Sequence, residues 1–294
     1  MRRLRRTMLF VPGGNQKLLS KALSLDVDAI IIDLEDSVAP QKKTEAREQV
    51  AEALIKENFH EKERVVRVNS LKTDFGYDDL IIMSESQVDT LLIPKVNSAD
   101  DIKEVDNILS KEKRGGDTSL GTIELIALIE TPMGVLNVDQ IAFCNPQLTG
   151  LLFGAGDFVR ETTGKITPDR KELYYPLSRI LLAARAANID AIDSPYFNIK
   201  DQQGLEQHTT QAKTFGYDGK AIIHPDQIEI VNRIFTPDDN EIALARKIIE
   251  AHENAKSEGK GATTVDGELV ENVHAVIAQR TLNIAKKAGI ILGE

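Results

Sequence analysis

Glu124-Leu125-Ile126-Ala127-Leu128-Ile129-Glu130-Thr131 is a nearly continuous apolar run of strand length that stops on a carboxylate. Pro132 and Gly134 follow, so the backbone turns there. A strand buried on both faces has this composition, and its last side chain stands at a rim. Leu148-Thr149-Gly150-Leu151-Leu152-Phe153-Gly154-Ala155-Gly156 repeats the design and delivers Asp157. Two acids at the ends of successive buried strands suit a hard cation such as Mg²⁺. That ion takes one or two protein carboxylates and completes its shell with water and substrate. The competing reading is two ordinary acids in solvated loops.

Outward from this pair, the same pattern recurs. Thr7–Val11 is strand-like and stops at Pro12-Gly13-Gly14-Asn15, before a helix over Gln16–Leu25. Asp28–Asp36 is a buried strand ending in acids. Pro40 opens a helix with Ala46, Val50, Ala53 and Leu54 at helical spacing. Arg64–Asn69, Val88–Val96, Ile189–Tyr196 and Gly219–His224 complete eight strand candidates. Helices are expected between them over Ala99–Lys111, Glu172–Ala187 and Asp201–Phe215. Strands alternating with helices imply parallel pairing, and eight units imply α/β architecture of the closed (β/α)₈ TIM-barrel type. The competitor is a Rossmann domain on Gly154-Ala155-Gly156, but the third glycine is missing and the stretch lies mid-chain. The barrel is expected to occupy residues 1–235. Residues 236–294 then form a C-terminal helical extension with helices over Asp238–Lys256 and Asn272–Ala288. Gly259-Lys260-Gly261 is a flexible break and Val265-Asp266-Gly267-Glu268 a turn. Such a tail could serve as a lid or an oligomer contact.

Composition narrows the function. The chain has 294 residues, 41% hydrophobic and 28% charged, and its net charge of -10 argues against nucleic-acid binding. Arg2, Arg3, Arg5 and Arg6 are the basic exception, either a solvated arm or a contact for an anionic ligand. Cys144 is the single cysteine, so no internal disulfide forms. No apolar run reaches transmembrane length, and Met8–Val11 is too short for a signal peptide. A cytoplasmic location, with no membrane partner, is expected.

In a barrel, chemistry gathers at the C-terminal ends of the strands. The residues expected there are Glu35, Asp36, Arg67, Asn69, Lys95, Glu130, Asp157, Asp193 and His224. Arg67 offers a planar double donor to a substrate carboxylate or a developing oxyanion; otherwise it pairs structurally with Glu35 or Asp36. Lys95 is either a Schiff-base lysine or, preferably, an ion-pair partner of Glu35, Asp36 or Glu130. His224 before Pro225 reads first as a packing or capping residue. His60, His208, His224, His252 and His274 show no zinc spacing, and no Walker loop is present.

Read in order, MLFVPGGN, DAIIIDLEDSV, VVRVNS, LLIPKVNSADDI, ALIETPMGV, LLFGAGDF and GKAIIHPDQI resemble the citrate lyase β-subunit (citryl-CoA lyase) family. That family lies within the HpcH/HpaI aldolase and malyl-CoA lyase group. The resemblance spans nearly the whole chain. It implies a Mg²⁺-dependent (β/α)₈ lyase acting on CoA or acyl-carrier-protein thioesters. It places Glu130 and Asp157 on the metal ligands and Arg67 and Glu130 on substrate-binding positions. It makes Arg67, Glu35, Lys95 and Glu271 the candidate catalytic residues. The implied reaction cleaves citryl thioester to oxaloacetate and an acetyl thioester; malyl and citramalyl thioesters are the related substrates. Acyl carrier protein and transferase subunits of a citrate lyase complex are implied partners, as is a homo-oligomer. A non-catalytic scaffold subunit is the alternative from another class. One departure concerns the tail. Relatives carry an aspartate followed shortly by proline, whereas here Glu271 takes the acid position and the proline is absent.

Overall fold

The computed structural model describes residues 3–113 and 122–291. Arg2 lies outside the described residues. Eight parallel strands close into a barrel in chain order: β1 Thr7–Pro12, β2 Ala29–Asp33, β3 Glu63–Arg67, β4 Thr90–Ile93, β5 Glu124–Ile129, β6 Leu148–Phe153, β7 Asp190–Asp193 and β8 Gly219–Ile222. The closing seam pairs Thr7 with Lys220 and Leu9 with Ile222. This is the expected (β/α)₈ barrel, and it removes the Rossmann alternative.

Side-chain alternation decides what faces the barrel axis. Met8, Ala29, Ile31, Val65, Leu92, Ile126, Leu128, Leu152, Ile192 and Ala221 form one buried interior cluster. The same parity continued along the chain places Phe10, Asp33, Arg67, Glu130, Gly154 and Ile223 at the upper end. The strands are shorter than the apolar runs suggest. β2 ends at Asp33 rather than Asp36, and β7 at Asp193 rather than Tyr196. Most acids expected on strand ends therefore stand in the loops just beyond them, where carbonyls and amides no longer pair in the ladder.

The opposite end is plugged by a buried ion cluster. Arg5 donates to Glu63 at 2.8 and 2.7 Å, to Glu124 at 2.9 Å and to Asp190 at 3.0 Å. Arg6 grips Asp28 at 2.8 Å. The anionic-ligand reading of Arg5 and Arg6 is therefore corrected. Both are structural cations at the foot of the barrel, because four acids converge there and need neutralising.

The chain divides into two compact units, Arg5–Asn232 and a second unit comprising the residues before Arg5 and those from Arg233 onward. In the second unit, helices Asp239–Ser257 and Asn272–Lys287 pack together beside an antiparallel hairpin, β9 Ala262–Val265 and β10 Glu268–Glu271. Sequence reading found the turn but not these two strands. Asp266 and Gly267 both adopt positive φ, 49° and 88°, the geometry that a two-residue Asp-Gly hairpin turn requires. Asp238 caps the first helix by accepting from the Glu241 amide at 2.7 Å while Glu241 reaches back.

Candidate active site

The upper end of the barrel opens into a cavity of about 570 Å³. Its charged side carries Asp33, Asp36, Arg67, Glu130 and Asp157. Its apolar side carries Phe10, Leu128, Leu152, Pro195, Phe197 and Ile223.

Glu130 follows β5 directly and is 2% exposed. Asp157 sits in the first turn of helix Ala155–Glu161 rather than on the end of β6, with Gly154 as the helix N-cap. Gly154 is needed for the close approach: a Cβ there would lie 2.4 Å from Glu130 Cβ and 2.8 Å from its Oε2. The Glu130 carboxyl lies within hydrogen-bonding reach of Asp157. Burial, that contact with Asp157 and the charge of Glu35 push the Glu130 carboxyl up to about 9. A site that forces two carboxylates together at the mouth of a barrel fits a divalent cation, which would neutralise both. Among the described residues, no group of three or more His, Cys, Asp or Glu side chains forms a metal site. Glu130 and Asp157 would be the protein donors for such an ion, and Mg²⁺ accepts so small a set.

Arg67 Nε and Nη2 grip Asp33 at 2.6 and 2.7 Å, and Nη1 lies 3.0 Å from Glu35. Asp33 was missed by sequence reading. The missing signal was parity: Ala29, Ile31 and Asp33 share the inward face, and Asp33 is in register with Arg67. Asp33 is pulled below the usual carboxylate range; burial alone would raise it, but the Arg67 guanidinium outweighs burial. Asp33 engages two of the five guanidinium N–H groups, and Nη1 is an ion-pair neighbour of Glu35, whose Oε2 accepts no hydrogen bond, so both terminal nitrogens keep N–H groups for a ligand. The ring of Phe10 lies 5.2 Å from the guanidinium carbon and holds its plane. The structural and the substrate-facing readings of Arg67 are therefore compatible: one edge is anchored and the rest looks into the cavity.

Lys95 links the two carboxylates behind this surface. Its ammonium donates to Glu35 at 2.5 Å, and its backbone amide donates to Glu130 at 2.8 Å. It adopts φ 52°, a strained conformation for a non-glycine residue that is typical of site positions. Burial alone would lower the Lys95 ammonium, but the hydrogen bond to Glu35 and the neighbouring acids raise it. A Schiff-base lysine needs the free amine, so this environment favours the ion pair. Glu35 itself is raised, chiefly by burial.

Three expected members of the ring face elsewhere. Asn69 is buried between Lys43, Asp79 and the Leu34 carbonyl. Asp193 is fully buried and held by Arg170 at 2.6 and 3.0 Å and Lys220 at 2.6 Å. Burial alone would raise it, but these two cations hold it far below the carboxylate range. Asp193 and Lys220 lie on the outward parity of β7 and β8, beneath the helices, so they stabilise the wall and do not reach the cavity. His224 caps its own turn, its Nδ1 accepting from the Asp226 amide at 3.2 Å. Glu271 ends β10 at the N-terminus of the last helix and is exposed; its amide donates to His274 Nδ1 at 3.1 Å.

Comparisons with known proteins identify the family. Residues 6–225 match the family described as HpcH/HpaI aldolase/citrate lyase, and residues 176–290 match the C–C bond lyase family of the TIM-barrel fold. The chain is 40% identical over 277 residues to the (3S)-malyl-CoA thioesterase of Cereibacter sphaeroides, covering 94% of this chain and 93% of that one. It is 38% identical over 269 residues to the citrate lyase subunit beta of Haemophilus influenzae, covering 92% of each. The crystal structure of CitE from Mycobacterium tuberculosis in complex with magnesium, acetoacetate and coenzyme A superposes with a TM-score of 0.76 at 27% identity, covering 97% of this chain and 98% of that one. With the family matched over most of the barrel, this chain is a carbon–carbon lyase and belongs to the HpcH/HpaI aldolase/citrate lyase family.

Proposed function

We propose that the chain is a Mg²⁺-dependent lyase that cleaves a 3-hydroxy-3-carboxyacyl thioester, citryl foremost, to a 2-oxo acid and an acetyl thioester. Coenzyme A or an acyl carrier protein carries the thioester. The observation that carries the reading is the meeting of Glu130 and Asp157 at the cavity mouth beside a half-engaged Arg67. A bound cation held by these two acids would polarise the oxygen on the reacting carbon as a Lewis acid. Arg67, fixed by Asp33 and paired with Glu35, binds the carboxylate on that carbon through N–H groups of its terminal nitrogens. Lys95 orients Glu130 through its amide and neutralises Glu35 through its ammonium. A base removes the hydroxyl proton, and the carbon–carbon bond breaks. Its electron pair passes to the thioester α-carbon as an enolate, which is then protonated.

We assign the base to Glu271 of a neighbouring copy in a homo-oligomer. Two observations support this: Glu271 is exposed, and the same unit presents the apolar side chains Leu269, Val273, Val276 and Ile277 to solvent. Such a face suits a second copy. No helix of the described residues is long and apolar enough to cross a membrane, in keeping with water-borne thioester substrates.

The test is a panel of citryl-, malyl- and citramalyl-CoA with Mg²⁺, following 2-oxo acid and free thiol separately. The reading expects 2-oxo acid with no free thiol. Free thiol without 2-oxo acid would make the protein a thioesterase and overturn it.

A further inference from the structure

The wall of the cavity above β7 and β8 is built where the barrel ladder is shortest. Strands β7 and β8 have four residues each and pair at two positions only, Ile192 with Gly219 and Asp193 with Lys220. β1 and β2, by contrast, pair at five. Yet the segments just above that short ladder supply Pro195, Phe197 and Ile223 to the cavity. Their backbone groups need partners that the ladder no longer gives.

Gln227 supplies them. Its side chain is buried, the residue being 1% exposed. Its Oε1 accepts from the Ile223 amide at 2.9 Å, and its Nε2 donates to the Tyr196 carbonyl at 2.8 Å. The orientation of the amide is fixed, because Ile223 offers only a donor and Tyr196 only an acceptor. A side-chain amide thus stands in for the missing rung between two strands. Gln227 is brought there by the short turn Pro225–Gln227, which His224 caps. This accounts for the HPDQ stretch, which the lyase chemistry leaves unused.

We infer that Gln227 is a positioning residue that fixes the apolar wall of the active site, and through it the binding of the thioester's acyl part. The wall reaches across to the cation-binding helix. A Cβ at Gly156, next to Asp157, would lie 3.3 Å from the Phe197 ring. The wall and the charged side are therefore in van der Waals register, and loosening one misplaces a substrate held by the other. The apolar side carries no carboxylate or ammonium, so its displacement weakens substrate binding while leaving the cation donors in place.

Two variants test this. Gln227→Met keeps length and bulk but makes neither hydrogen bond. Gln227→Glu at pH 8 keeps the acceptor for Ile223 but sets a carboxylate oxygen against the Tyr196 carbonyl. Native-state amide exchange is read at Ile223, with β6 as internal reference. Exchange at Ile223 is expected to speed at least tenfold in Gln227→Met and to stay slow in Gln227→Glu. In steady-state cleavage of the thioester that the wild type turns over, KM is expected to rise at least tenfold in both. The rate constant at saturation and the Mn²⁺ dissociation constant should stay within twofold. Unchanged exchange at Ile223 in Gln227→Met overturns the missing rung. Faster exchange with an unchanged KM, or a loss carried by turnover and Mn²⁺ affinity, overturns the positioning role. The kinetic arm rests on the lyase reading. A wild type that cleaves no thioester refutes that reading, and the exchange arm then judges the rung by itself.

Discussion

Replacing Glu130 with glutamine separates the electrostatics of the site from its chemistry. The carboxyl of Glu130 is held at about 9 in the folded protein, whereas an unfolded glutamate titrates near 4.3. The sign follows from linkage. Below about pH 4 both states carry the proton, and the group adds nothing to the pH dependence. Between pH 4 and 9 the unfolded state sheds it and the folded state keeps it, so stability falls as pH rises. At about 1.4 kcal/mol per unit, the penalty at pH 7 in chelator is roughly 4 kcal/mol. Glutamine cannot ionise, its oxygen can still accept the Lys95 amide, and its NH₂ can donate to Asp157. Metal-free Glu130→Gln is therefore expected to be more stable than wild type by about 3–4 kcal/mol at pH 7, a rise of roughly 5–7 °C in Tm. The gap should close toward pH 5. Thermal unfolding in EDTA at pH 5, 6, 7 and 8, repeated with 10 mM MgCl₂, reads this directly. Magnesium should raise the Tm of wild type and leave Glu130→Gln nearly unmoved. A variant less stable than wild type at pH 7 in EDTA, or a gap independent of pH, would refute the reasoning.

Other perturbations probe the neighbouring parts. Arg67→Lys keeps the charge and loses the fork that grips Asp33, so kcat/KM should fall by roughly 2–4 kcal/mol, about 30- to 1000-fold; a loss under threefold would make Arg67 purely structural. Gly154→Ala puts a methyl group into Glu130 and should abolish Mn²⁺ binding in a protein that still shows native circular dichroism; retained binding would show that the loop yields. Asp193→Asn leaves Arg170 and Lys220 buried with one partner fewer, and should lose roughly 3–5 kcal/mol in urea unfolding. A loss below about 1 kcal/mol would show that water reaches the cluster.

Much of this was legible in the sequence because a parallel barrel strand is apolar on both faces and stands out as a run. The ordering of eight such runs fixes the closure, and two of them point to Glu130 and Asp157. What stayed hidden depends on parity and on distant partners. Asp33 reads as one acid among three in DLED until the inward face is followed from Ala29 through Ile31. Arg5 reads as part of a basic tail because Glu63, Glu124 and Asp190, which bury it, lie far along the chain. Lys220 in the run GKAI looks like an interior charge, yet its parity turns it outward to Asp193. The ends of the strands were placed too late because apolar side chains continue beyond the last ladder bond. The hairpin at Ala262–Glu271 carries little apolar alternation and announces itself only through Asp266-Gly267.

The central claim is that Glu130 and Asp157 hold one divalent cation at the mouth of the barrel. Titrating the protein with Mn²⁺, with the free ion followed by electron paramagnetic resonance, tests it most directly. Wild type is expected to bind one ion per chain and to release it to excess Mg²⁺, and Glu130→Ala and Asp157→Ala are each expected to lose that site. Unchanged Mn²⁺ binding in both variants would contradict the account.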